Sequence, residues 1–194
     1  MATLDQFNGC LLGLALGDAM GAPYEGGLLE RLLWKLIGKT IKGELRWTDD
    51  TQMALDLCES LIINEKLEPE HLAKQFAASY RWSRGYGPAT AKILKKIKAG
   101  KNWQKVNCSI YPDGSFGNGA AMRAPIIGLF YHKNSNDFID AVRGSAVITH
   151  AHPLAIEGAI LIALATSLAL DKLEQYNRLT DVATTLFNRV NRNT

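Results

Sequence analysis

Apolar residues recur along this chain at the spacing of helices. In the first segment Leu11, Leu12, Ala15, Leu16 and Ala19 fall at i, i+1, i+4, i+5 and i+8, and the glycines among them, such as Gly13 and Gly17, suggest close helix packing. A second apolar helix is expected over about 28–37. A third starts at Thr48 and carries Met53, Ala54, Leu57, Cys58, Leu61 and Ile62 on one face as far as Asn64. Pro69 opens the next helix and acids follow it, which suits both its missing N–H and the positive end of the helix dipole; Pro88, after "RGYG", repeats the device. Further helices are expected at about 118–131, 136–149, 153–170 and 174–191. The sequence shows no convincing alternating strand, no repeat of roughly 20–50 residues and no dividing linker, so it predicts one all-α domain over 1–194.

Composition sharpens this picture. A chain of 194 residues buries roughly 70% of the surface its unfolded form exposes, enough for one substantial core. The 22 Lys+Arg against 19 Asp+Glu give a net charge of +3, too weak to argue for a nucleic-acid partner. The one basic cluster, "KILKKIKAGK", sets Lys92, Lys95, Lys96 and Lys98 around Ile93, Leu94 and Ile97, as a solvated helix face does. Cys10, Cys58 and Cys108 are odd in number and have no histidine at zinc-ligand spacing, so neither a disulfide framework nor a zinc site is suggested. A reducing, cytoplasmic location is the expectation. The N-terminus lacks the basic region of a secretory signal. The apolar stretch at 154–170 carries Glu157 and falls short of the roughly 20 residues a membrane span needs, so it reads as a buried core helix with no membrane partner.

Three segments carry candidate chemistry. In "RWTDDTQ", Thr48 is a good N-cap, and Asp49 and Asp50 in the first turn are stabilised by the helix dipole. The same hydroxyl and two carboxylates are hard oxygen donors suited to Mg²⁺, and the two readings are compatible. In "PDGSFGNGAAMRAPIIG", Gly114, Gly117 and Gly119 let the backbone come close to a ligand, Asn118 can cap a helix whose free N–H groups favour an anion, and Arg123 follows about one turn later. The spacing matches neither a P-loop nor a dinucleotide fingerprint, and read alone the segment is more simply a glycine-rich turn joining two helices. In "ITHAHPLAIEGA", Pro153 starts a helix and His150 and His152 precede it. A histidine pair with no third ligand nearby is more simply a loop feature, with ligand contact by His150 left open.

Taken together, "GCLLGLALGDAMGAPYE", "RWTDDTQMAL", "GSFGNGAAMRAPIIGLF" and "THAHPLAIEGA" resemble, in order and approximate spacing, the ADP-ribosylglycohydrolase family, which includes the dinitrogenase reductase-activating glycohydrolase. The resemblance covers nearly all of residues 7–170. It implies an orthogonal helix bundle and a hydrolase that removes ADP-ribose from protein side chains or small molecules at a centre of two Mg²⁺ ions. It assigns Thr48, Asp49 and Asp50 as metal ligands and Glu25 and Asp49 as catalytic. Gly114, Ser115, Phe116, Gly117 and Asn118 match the loop that wraps the ribose and phosphates, and His150 matches a residue near the ligand. Family members are longer and carry a D-x-D-[ST] motif near their C-terminus that completes the metal site. No such motif stands in this sequence, where the later acids are Asp171, Glu174 and Asp181. The sequence therefore reads as the N-terminal portion of the domain, C-terminally truncated. The expected partners are an ADP-ribosylated substrate together with self-association or a complementing segment, and the alternative to an enzyme is an inactive ADP-ribose-binding or structural remnant.

Overall fold

The computed structural model describes residues 2–132 and 134–172. Among them the chain forms α1 (Leu4–Gly21), α2 (Leu28–Ile37), α3 (Asp49–Asn64), α4 (Pro69–Ser79), α5 (Pro88–Lys98), α6 (Trp103–Val106), α7 (Ala124–Phe130), α8 (Ser135–Ala146) and α9 (Pro153–Lys172). An isolated antiparallel bridge between Lys39 and Leu45 is the one β pairing among the described residues. The helix expected at 174–191 lies outside them.

The central helix is α3. Met53, Leu57 and Leu61, each one helical turn after the last, are fully buried and meet Leu72 and Phe76 of α4, with Ile93 and Leu94 of α5 extending the same core. From the other side come Ile126 and Ile127 of α7, Val142 of α8, and Ala159 and Ala163 of α9. The α7–α9 crossing is close because Gly128 has no side chain: a Cβ there would stand 2.5 Å from the Ala163 carbonyl oxygen. The basic face of α5 forms as expected, with Ile93, Leu94 and Ile97 buried beneath its lysines.

Four expectations are corrected. On α1, Leu11 and Leu14 pack inward while Leu12 and Leu16 are exposed, so the buried stripe is rotated from the one the spacing suggested. Gly9, Gly13 and Gly17 face open space among the described residues rather than a close neighbour. The segment 118–131 is not one helix: a 3₁₀ turn at Asn118–Ala120 is followed by α7, because Pro125 lacks an N–H and its ring would strike the carbonyl four residues back. The apolar stretch at 154–170 is not a fully buried core helix. Within Pro153–Leu170 only 28% of the residues are buried; Ala155, Ala159 and Ala163 pack inward, and Leu154, Leu161 and Ile162 stay exposed. By length and composition α9 is long and apolar enough to cross a membrane, a test that soluble core helices also pass.

Candidate active site

The site is built on the start of α3. Thr48 is extended (φ −100°) and its hydroxyl accepts from the Asp50 N–H at 3.3 Å, so the capping role read from the sequence is formed. What holds this turn in place comes from α1. Asp18, near the end of that helix and buried, accepts from the Thr48 N–H at 2.8 Å and from the Thr51 N–H at 3.1 Å. The Thr51 hydroxyl donates to the same carboxylate at 2.5 Å. A buried carboxylate is tolerable because these donors replace its water, and the clamp ties the ends of α1 and α3 together.

Asp49 and Asp50 follow the clamp and look into a cleft of about 670 Å³, within the size range of small-molecule sites. Burial, followed by the Asp50 charge, raises the Asp49 carboxyl from 3.8 to about 7. Burial, with the charges of Asp18 and Glu25, raises Asp50 to about 6. The counter-charge is Arg123, which is 0% exposed. Its guanidinium donates to the Gly119 carbonyl at 2.6 Å, the Ser145 carbonyl at 2.7 Å and the Thr149 hydroxyl at 3.1 Å, and lies 4.9 Å from the centre of the Phe76 ring. Burial lowers its pKa to about 9, and the charges of Asp49 and Asp50 act the other way.

The opposite wall is the glycine loop. Gly114 has φ +84°, and a Cβ there would stand 2.4 Å from the His152 backbone nitrogen, so only glycine fits. Ser115 is buried, whereas Phe116 is 65% exposed and meets the His152 ring edge-on at 5.2 Å. His150 is buried beneath the loop, 2.8 Å from the Thr149 hydroxyl through Nδ1. Burial, with the Arg123 charge, lowers its pKa to about 3, so it is neutral at physiological pH. Since Thr149 accepts from Arg123, its own hydrogen can go to Nδ1, which leaves Nε2 as the protonated nitrogen. His152 has a local duty: its Nδ1 accepts from the Leu154 N–H at 3.2 Å, capping α9.

The fold therefore gathers Glu25, Asp49, Asp50, Gly114, Ser115, Phe116, Gly117, Asn118 and His150 around one cleft. Thr48 does not line it and faces a smaller neighbouring cavity instead. Asp18 was not singled out from the sequence, and Gly119 and Arg123, though noted in the glycine-rich segment, were given no role at the site. The signal available for Asp18 was a charge interrupting an apolar helix, and for Arg123 a lone cation in an apolar run. Gly119 touches His150 more tightly than Gly117 does: an added Cβ would lie 2.4 Å from the ring at Gly119 and 3.1 Å at Gly117. Gly119→Ala is therefore expected to cost about 1–3 kcal/mol, and Gly117→Ala less, an order that urea denaturation of the two variants would show.

The donors fit Mg²⁺ in type, since Thr48, Asp49 and Asp50 offer hard oxygens and burial with neighbouring acids raises both carboxyls despite the Arg123 charge. They do not complete a shell by themselves, because among the described residues no group of three His, Cys, Asp or Glu is placed to hold a metal ion.

Comparison with known proteins decides the family. The ADP-ribosylglycohydrolase family model matches residues 1–193. The chain belongs to the ADP-ribosylglycohydrolase family. It is 37% identical over 181 residues to the ADP-ribosylhydrolase ARH3 of Xenopus tropicalis, covering 87% of this chain and 51% of that protein. Against ARH3 of Homo sapiens it is 36% identical over 185 residues, with 87% and 51% covered. A solved structure titled "ADP-ribosylglycohydrolase-related protein complex" superposes with a TM-score of 0.61 at 28% identity, covering 86% of this chain and 56% of that one. The chain thus spans about half the length of the curated relatives it matches.

Proposed function

We propose that this chain carries the ADP-ribose-binding part of a Mg²⁺-dependent hydrolase that cleaves the glycosidic bond between ADP-ribose and a protein side chain or small molecule. The observation that supports this best is the single cleft in which three carboxylates face a glycine loop and a neutral histidine. Cleavage at the anomeric carbon passes through an oxocarbenium-like state and needs a group that gives a proton to the leaving atom or takes one from water. Glu25 stands exposed at the same cleft, where it can do either, while Asp49, whose carboxyl burial raises to about 7 without metal, would act with Mg²⁺ bound as an ionised group that positions water. The loop backbone from Gly114 to Asn118 would hold the ribose and phosphates, and Phe116 offers a face for stacking. Thr48, Asp49 and Asp50 would hold Mg²⁺, which when bound orients ribose hydroxyls and acidifies water.

The deciding experiment is calorimetric titration with ADP-ribose, paired with release of ADP-ribose from a modified peptide in the presence of Mg²⁺. Binding and Mg²⁺-dependent release are expected of an enzyme; absence of ADP-ribose binding sinks the reading. The incomplete donor group favours a second reading, an ADP-ribose-binding protein without turnover, which predicts binding alone.

Self-association belongs to the same proposal. Leu12, Leu16 and Met20 on α1, and Leu28, Leu29 and Leu36 on α2, are exposed, an apolar surface that favours covering by a partner. Sedimentation should show mass rising with concentration; a monomer at all concentrations would refute it.

A further inference from the structure

A second cavity, of about 230 Å³, lies against the cleft and shares Glu25, Asp49 and Gly85 with it. Gly85, at φ +84°, forms part of the partition: a Cβ there would stand 3.8 Å from an Asp49 carboxylate oxygen and 3.9 Å from the Thr48 Cβ. The two cavities differ in chemistry. The cleft carries the glycine loop and the histidines alongside Pro88, Tyr111 and Met122, whereas the smaller cavity sets Leu33, Trp34 and Ile37 of α2 and Trp82 opposite Thr48 and the shared carboxylates. Trp82, in the 3₁₀ turn before Gly85, is 73% exposed, while Trp34 is buried, so one indole forms the inner wall and the other stands at the solvent side.

A glycosidic bond has two sides, and the residues that would act on it stand where the two cavities meet. If ADP-ribose fills the polar cleft, its anomeric carbon reaches Glu25 and Asp49, and what is bonded to that carbon continues to their far side. We propose that the smaller cavity is the leaving-group subsite and that Trp82 and Leu33 make it select leaving groups with a flat or aliphatic body. This rests on the ADP-ribose reading of the cleft. The volume is below that of a site for a whole drug-sized ligand, so it takes one side-chain-sized fragment and leaves the rest of the substrate outside. Its apolar walls gain more from burying such a body than from a small group that reaches only the carboxylates and Thr48 at its edge.

Binding in a chelating buffer tests this without requiring turnover. The probes are ADP-ribose, its 1″-O-methyl glycoside and its 1″-O-benzyl glycoside, titrated into the parent, Trp82→Ala and Leu33→Trp. In the parent the benzyl glycoside should bind roughly five- to tenfold more tightly than the methyl glycoside. Trp82→Ala, which removes an exposed side chain, and Leu33→Trp, which fills the cavity, should each erase that preference and leave ADP-ribose affinity within about twofold. Equal binding of the two glycosides by the parent would overturn the subsite, as would a preference that survives both substitutions. Failure of all three probes to bind the parent, both in the chelating buffer and with Mg²⁺ restored, would instead overturn the ADP-ribose reading beneath it.

Discussion

Replacing Asp49 and Asp50 together with Asn is expected to abolish measurable Mg²⁺ binding while leaving the metal-free fold at least as stable as the parent at neutral pH. Both halves of this follow from one fact. The two carboxyls sit at about 7 and about 6 because burial and neighbouring acids disfavour their charged forms. The folded protein therefore holds more protons than the unfolded chain between about pH 4 and 7, so the stability of the metal-free parent falls as pH rises through that window and levels off above it. Asn is never charged, keeps the shape of the first turn and removes most of that slope. The residual slope belongs to Asp56, raised to about 6 by burial. A divalent cation competes with the same protons, so Mg²⁺ affinity in the parent should weaken as pH drops from 7 to below 6. Calorimetry across that range, with thermal unfolding of parent and double variant without metal, checks both. Unchanged Mg²⁺ affinity in the variant would leave Asp49 and Asp50 as helix-capping acids only.

Arg123→Leu should be the most damaging single change to the fold, costing about 3–5 kcal/mol by urea denaturation. The guanidinium links α8, the Gly119 turn and the segment before His150 through three hydrogen bonds, and no water reaches the space it fills. Leucine leaves the Gly119 and Ser145 carbonyls without this donor in the interior and reduces the Thr149 hydroxyl to its bond with His150. It also removes the positive charge that lowers the Asp50 carboxyl, so that group should titrate higher still, a shift visible by carboxyl NMR. Arg123→Lys keeps the charge but not the planar fork, and should fall between. A loss of stability in Arg123→Leu no larger than that of an exposed substitution would contradict this account.

The relation between chain and fold is clearest at the start of α3. The capping threonine, the two first-turn acids and the apolar stripe behind them are short-range features, settled by hydrogen bonds and side-chain periods within a few residues, and they were legible in "RWTDDTQMAL". The same holds for the prolines that open α4, α5 and α9 and for Gly114, whose left-handed backbone suits a glycine-rich turn. The ordered motifs also sufficed for the family. What lay beyond the sequence was every feature that depends on which surfaces meet. Asp18 clamps a turn 30 residues away, and although it interrupts an apolar helix, nothing in that helix names its partner. Arg123 stands out in the sequence as a lone cation in an apolar run, but its complete burial is decided only when α7, α8 and the 145–149 segment close around it. The side of α1 that packs inward could not be chosen from leucines present on both sides. Thr48 caps as foreseen yet faces the neighbouring cavity, because Asp18 fixes the rotation of the turn. Local geometry is set by bonds the chain makes with itself nearby, whereas burial, and with it the charge state of Asp49, Asp50, Arg123 and His150, is set by distant segments displacing water.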